Sequence, residues 1–316
     1  MSPPKVLLTG ATGYIGGTIL NQLIMSEAEC LRDLTISLLV RGEDRTAKLK
    51  DKYGDRIVCV PFKNFDETAF ITEVARQHDI VVNAACGFQP PSAEAMDWDD
   101  ADAEAVYEFE KAENAREWYP QWALELLALD TSLEVGVGAL SIQASSVSGA
   151  GEGLFQRSAF MIPIMTSYVL AQGHSFTLGD GTGVISYVHV SDLAALYVRC
   201  VRRVVEDGGR DLPRGRAGIV FPTNGRTIMR DIARRCVDAA FDSGVLSRND
   251  KGPRDREVRT VDLDEAASTT EGNRVVAEVG GEEAWAQDFR DELRAALAGN
   301  RGVTIGNCIN ETAADP

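Results

Sequence analysis

Short apolar runs alternate with stretches of helical periodicity through the first 85 residues. Lys5–Thr9 (KVLLT) is apolar and stopped by glycine, the pattern of a strand buried on both faces of a parallel sheet. Thr18–Met25 then carries apolar residues at helical spacing. Leu34–Val40 (LTISLLV), Arg56–Phe62 (RIVCVPF) and Asp79–Ala85 (DIVVNAA) predict strands two to four, with a helix over Asp66–Gln77. Such alternation predicts an α/β fold built on a parallel sheet. Further on, Ala101–Leu129 reads as one long helical stretch interrupted by Pro120, and Glu134–Ile142 as strand six. Helices are predicted around Ile162–Gln172, Ser191–Val205, Thr227–Ser243 and Glu283–Ala298. Gly218–Pro222 and Val258–Leu263 read as short strands, Ser247–Arg256 as a polar loop, and 302–316 as a frayed tail.

The first strand runs straight into Gly10-Ala11-Thr12-Gly13-Tyr14-Ile15-Gly16-Gly17. A glycine-rich turn between a strand and a helix is the setting in which three glycines have separate uses. Gly10 permits the tight turn, Gly13 lets the backbone approach a pyrophosphate, and Gly16 lets the helix pack closely on the strand. Free N–H groups and the helix dipole favour an anion at that helix start. Thr9, Gly10, Thr12, Gly13, Tyr14, Ile15 and Gly16 are therefore the expected dinucleotide loop. The second strand ends in Arg41, where an NAD-binding unit would carry an acidic residue for the ribose hydroxyls. An arginine there suits a 2′-phosphate, which favours NADP with NAD left open. The plain alternative is that Arg41 only begins a solvated loop. Asn64 and Phe65 are expected where the adenine rests, and Asn83, Ala84 and Ala85 where the inner ribose and phosphates pass. The predicted fold class is α/β, a doubly wound parallel-sheet Rossmann fold.

Thr9–Gly16 (TGATGYIG) resembles the fingerprint of the extended short-chain dehydrogenases/reductases, the NAD-dependent epimerase/dehydratase family in its atypical, fungal form. Leu178-Gly179-Asp180-Gly181 with Tyr187–Ala194 is similar to that family's segment near the substrate domain, and Gly149–Gly153 to the loop after its sixth strand. The resemblance spans about residues 5–245. It implies a dinucleotide domain over 1–148, with contributions from 183–222, and a small substrate-binding portion over 149–301. It also implies hydride transfer at a carbonyl or alcohol carbon of a small molecule, and a homodimer formed through long helices is one arrangement family members use. His189 reads as a hydrogen-bonded structural histidine, and Ser191 or Asp192 as the N-cap of the helix that follows.

The resemblance further implies a Ser/Thr, Tyr, Lys constellation. Tyr107-Glu108-Phe109-Glu110-Lys111 is the only Tyr-x-x-x-Lys in the chain, and positions i and i+4 share a helix face. Tyr107 is then the acid/base, with Lys111 lowering its pKa. The competing reading makes both part of a solvated, salt-bridged helix, since Asp97, Asp99, Asp100, Asp102, Glu104, Glu108, Glu110 and Glu113 surround them. Tyr119 is followed four residues later by Ala123, not by the lysine of that pattern. No β-rich run stands between Ala85 and Leu133, so interior strand five, which would carry the Ser/Thr, is missing; a second abrupt junction falls near Gly280. Both junctions read equally as deletions or as errors in a coding sequence. The missing strand either lets strand four pair with strand six or leaves the sheet locally open. After strand six, Ser145 stands where the family has proline and Ser148 where it has tyrosine. The rival class is a non-catalytic dinucleotide sensor.

Composition narrows the partners. With 32 basic and 48 acidic residues the formal charge is −16, which argues against nucleic acid and anionic membrane surfaces. Three histidines and six scattered cysteines give no zinc spacing, so no metal is expected. No apolar run approaches the ~20 residues of a membrane span, and no secretory leader is read, so a cytoplasmic protein is expected.

Overall fold

The structure, a computed structural model, describes residues 3–84, 99–116, 118–159, 161–244, 256–262 and 265–266. In chain order its elements are β1 (Lys5–Thr9), α1 (Tyr14–Met25), α2 (Glu29–Arg32), β2 (Thr35–Val40), α3 (Glu43–Tyr53), β3 (Ile57–Pro61), α4 (Thr68–Arg76) and β4 (Ile80–Asn83). There follow α5 (Ala103–Arg116), α6 (Pro120–Val135), β5 (Ser141–Ile142), β6 (Ser146–Ser148), α7 (Met161–Gln172), β7 (Ser175–Leu178) and β8 (Val184–His189). The last are α8 (Val190–Asp207), β9 (Ile219–Val220), β10 (Gly225–Ile228), α9 (Met229–Asp242) and β11 (Val258–Val261). They fall into two compact units, one within Met1–Phe88, Asp97–Ser158 and Val188–Thr223, the other within Ala159–Tyr187 and Asn224–Pro316.

The first unit is built on a parallel sheet in the order β3-β2-β1-β4. β1 is covered on both faces, as its unbroken apolar run requires. Val6 and Leu8 pack with Ile36 and Leu38 against Ile19, Leu20 and Leu23 of α1 and Ala194 and Val201 of α8. Leu7 and Leu39 turn the other way, onto Val74 of α4. Because β1 lies between β2 and β4, the crossovers diverge at its C-terminal end. Ligands of open α/β sheets bind at such a switch point.

In the same unit, β5 pairs in parallel with β9, Ser141 opposite Ile219 and Ile142 opposite Val220. Over this ribbon α5 and α6 bury Val106, Tyr107, Leu126, Leu129 and Ile219. The second unit packs α7 and α9 on the parallel pair β7–β11, with Val169, Phe176, Ala233, Val237 and Val261 at its centre. Val184–Tyr187 pairs antiparallel with β10.

Several predicted elements shift. The first helix starts at Tyr14 rather than Thr18, which places Gly16 and Gly17 inside it. The long helical stretch is two helices, and Pro120 opens the second at its first position, where a missing N–H costs nothing. That helix continues to Val135, so strand six shrinks from Glu134–Ile142 to Ser141–Ile142. Gly136 closes α6 in the left-handed conformation, with φ 70°. Among the described residues β4 pairs only with β1, and β5 pairs only with β9. Strand four therefore does not pair with strand six among the described residues. Ala85, the helix predicted over Glu283–Ala298, the Gly280 junction and the 302–316 tail lie outside the described residues.

Candidate functional site

Four loops leave the C-terminal ends of the parallel strands on one edge of the sheet, and each carries residues assigned to the dinucleotide. After β1, Gly10 takes φ 74°, a conformation open mainly to glycine. Its carbonyl accepts the Gly13 N–H at 2.8 Å. A Cβ on Gly16 would stand 2.2 Å from the Gly10 oxygen, and one on Gly13 3.2 Å from it. The turn therefore closes only if Gly16 stays bare. Gly13 is the N-cap of α1, no side chain caps the helix, and no acidic residue occupies its first turn. The first-turn N–H groups thus remain for an external anion. The residues present fit a dinucleotide pyrophosphate on this observation.

The neighbouring loops agree in placement. Thr9 donates its hydroxyl to Asn83 Oδ1, tying the ends of β1 and β4 together. The Ala84 N–H reaches the Thr9 carbonyl at 3.4 Å. Arg41 follows β2, its guanidinium 6.0 Å from the centre of the Phe62 ring. Asn64 Oδ1 accepts the Asp66 N–H at 3.0 Å, which holds the bend after β3. Phe65 meets Phe62 edge-on at 5.2 Å and stays 45% exposed, so one aromatic face is available for stacking. Ala11 is buried, whereas Thr12 and Ile15 are partly covered.

A second set of contacts, which the sequence reading missed, braces α1 from the 149–153 loop. Tyr14 donates its hydroxyl to the Gly149 carbonyl at 2.7 Å. Burial pushes that phenol up to about 12, so it stays a donor. Gly17 and Gly153 touch backbone to backbone: a Cβ on Gly153 would lie 2.9 Å from the Gly17 Cα. The Glu152 N–H donates to Thr18 Oγ1 at 3.1 Å. Its carboxylate accepts from Asn21 (3.1 Å), Gln22 (3.0 Å) and Ser191 (2.7 Å). Burial alone would raise the Glu152 pKa, but these hydrogen bonds and nearby His189 together bring it below its usual value. The glycine spacing in 149–153 was the only sequence signal. Nothing local announced Glu152 as the junction of α1, α8 and the loop.

His189 is structural, as expected, but it also takes the capping role assigned to Ser191 or Asp192. Its Nδ1 accepts the Ser191 N–H at 3.2 Å at the start of α8. Its ring also fills the space over Gly149, where a Cβ would meet Nε2 at 2.1 Å.

Tyr107 and Lys111 share a helix face, and the ammonium lies 5.7 Å from the ring centre. Tyr107 is fully buried, unlike a residue on a solvated helix. Its hydroxyl donates to both Asp130 carboxylate oxygens, at 2.7 and 2.8 Å, and the Arg216 guanidinium covers the ring at 4.7 Å. Burial, then the Asp130 bond and charge, push the phenol up to about 12. The hydroxyl assigned to proton transfer is thus occupied by Asp130. Among the described residues no group of three or more acidic, histidine or cysteine side chains is arranged for a metal. Nor is any helix there long and apolar enough to cross a membrane.

With the geometry in place, comparison with known proteins adds the fold. The solved structure of Pen from Bacillus thuringiensis superposes with a TM-score of 0.52 at 15% identity, covering 82% of this chain and 78% of that one. The chain has a mixed α/β fold with a Rossmann-like parallel sheet. A dTDP-glucose 4,6-dehydratase from Bacillus anthracis in complex with NAD is similar with a TM-score of 0.48 at 15% identity, over 82% of this chain and 87% of that one. In sequence the chain is similar to the oxidase ucsJ of Acremonium sp., 24% identical over 307 residues, 84% of each. No family model matches.

Proposed function

We propose that this chain is a nicotinamide-dinucleotide-dependent oxidoreductase of the extended short-chain type, acting at a carbonyl or alcohol carbon of a small molecule. The observation that carries the reading is the uncapped start of α1. It sits behind a turn that tolerates no side chain at Gly16, at the end of the central parallel strand. Gly10, Gly13 and Gly16 would let the backbone reach the pyrophosphate. Thr9, Thr12, Tyr14 and Ile15 complete the loop. Phe65 and Asn64 would meet the adenine, and Asn83, Ala84 and Ala85 the inner ribose. Arg41 would hold a 2′-phosphate, so NADP is preferred to NAD. Such a cofactor, when bound, supplies or accepts the hydride.

The substrate proton needs its own donor. Tyr107, with Lys111 beside it, serves as that donor only if substrate draws its hydroxyl away from Asp130. A protein that binds dinucleotide without turnover is the outcome if it does not.

The test is a thermal-shift titration with NADPH and NADH on the wild type and on Arg41→Ala. Saturation at about 100 times Kd adds about 2.7 kcal/mol, a shift of several degrees. NADPH is expected to stabilise the wild type more than NADH, and Arg41→Ala to remove the difference. A cooperative melt unmoved by either nucleotide would overturn the cofactor assignment.

A further inference from the structure

The buried residues of α5 are Ala103, Val106 and Tyr107, which pack with α6 and the β5–β9 ribbon, and Glu110. Glu110 occupies a core position and is only 3% exposed. Across from it α6 presents Glu125, one turn before the buried Leu129. Gln143, just past the C-terminal end of β5, spans the two carboxylates. Its amide nitrogen lies 2.6 Å from Glu110 Oε1 and 2.9 and 3.0 Å from the Glu125 oxygens. The backbone N–H of Gln143 is fixed to the Val220 carbonyl, so the bridging residue is anchored to the ribbon. Among the described residues, Glu110 Oε2 is buried with no hydrogen-bond partner.

Among the described residues the surrounding charges do not neutralise the pair. Asp130 of α6 takes the Tyr107 hydroxyl, and Arg216 lies beside Asp130 and 3.7 Å from Glu108. Lys111 lies over the Tyr107 ring, and Asp100 accepts the Phe221 N–H. Ser141, from β5, is uncharged and bonds to Glu125. A buried carboxylate beside a partly buried one, with one amide between them, is costly as a dianion. One proton relieves the cost and turns one orphaned acceptor into a donor.

We propose that Glu110 and Glu125 hold a single proton between them in the folded protein, and that its loss loosens α5 and α6 from the β5–β9 ribbon. The sign follows from linkage. Burial, and then the Glu125 charge, push Glu110 up to about 7 from an ordinary 4.5, and burial also raises Glu125. The stability contributed by the protonated pair is therefore full below the ordinary 4.5, falls as pH rises from there, and is gone above about 7. Any activity housed in this unit would inherit that dependence.

The experiment is urea unfolding from pH 5 to 9 of the full chain, with Glu110→Gln as a mimic of the protonated carboxyl, and amide hydrogen exchange of α5 and α6. The wild type is expected to lose stability between pH 5 and about 7 and to level off above it, with exchange in both helices rising beyond the intrinsic chemical increase. Glu110→Gln is expected to be more stable than the wild type at pH 8 and to lack the step. Parallel curves for the two proteins would overturn the proposal. So would stabilisation of the wild type at pH 8 by potassium, magnesium or calcium chloride, over a matched ionic strength, that Glu110→Gln lacks; a cation would then fill the place given to the proton. Should Glu110→Gln yield no folded protein, Glu125→Gln makes the same comparison. Removing that neighbouring charge is expected to move the step to lower pH, and an unmoved step would count against proton sharing.

Discussion

Tyr107 carries two requirements that pull in opposite directions. A proton donor must reach substrate and titrate near working pH. A core phenol must be buried and bonded. The structure meets the second requirement, with a fully buried ring and a hydroxyl on Asp130. Tyr107→Phe keeps the ring and deletes one bond to a charged acceptor, a loss of about 1.5–3 kcal/mol when the acceptor is well covered. Asp130 is itself 40% exposed, so about 1.5 kcal/mol is expected, read as a lower urea midpoint. Turnover with NADPH and a panel of carbonyl compounds then separates the roles. Activity lost by two orders of magnitude or more, roughly the weight of general acid catalysis, with only this modest loss of stability, supports the proton donor. Full activity with the same destabilisation leaves Tyr107 to the α5–α6 interface.

Among elements, α1 is the one on which the dinucleotide reading depends, and it is held from outside. Its own sequence supplies Gly16 and Gly17 but no cap. Rigidity comes from the 149–153 loop, above all through Glu152, whose carboxylate joins Asn21 and Gln22 of α1 to Ser191 of α8. Because these bonds bring the Glu152 pKa below its usual value, their stabilisation is present above the ordinary glutamate range and is lost as pH falls through the lowered value. Glu152→Gln is expected to flatten the acid limb of the stability curve and to weaken dinucleotide binding. An acid limb identical to the wild type's would mean that the carboxylate contributes nothing as a charge.

This is also where the sequence runs short. β1 to β4 and the glycine turn were legible because strand burial and tight turns are written in contiguous residues. Gly10, Gly16 and the uncapped helix start sit where that pattern puts them. The brace between Glu152 and Asn21 joins positions 131 apart, and no local period records it. β5 and β9, two residues each, carry too few apolar positions to stand out, whereas α6 runs on into the residues assigned to strand six. Glu110 was readable in retrospect, as a carboxyl on an apolar stripe, but was counted among the solvated acids of its segment.

For the whole molecule, the net charge of −16 faces an anionic ligand. At long range the chain repels a dinucleotide phosphate. At short range, on the proposed site, the start of α1 and the Arg41 guanidinium would attract it, and the dipole part of that attraction fades within one helical turn. Salt acts unequally on the two, since the Debye length falls from about 30 Å at 0.01 M to about 8 Å at 0.15 M. The distant repulsion is screened first, and contacts made within hydrogen-bond distance last. The association rate of NADPH, followed by stopped-flow fluorescence, is therefore expected to rise or hold level over that range of salt, while dissociation quickens only modestly. An association rate that falls steeply with salt would show that a basic field around the loop outweighs the acidic surface. Arg41, Arg45 and Lys48, clustered beyond β2, are the residues whose alanine variants would then be expected to abolish the dependence.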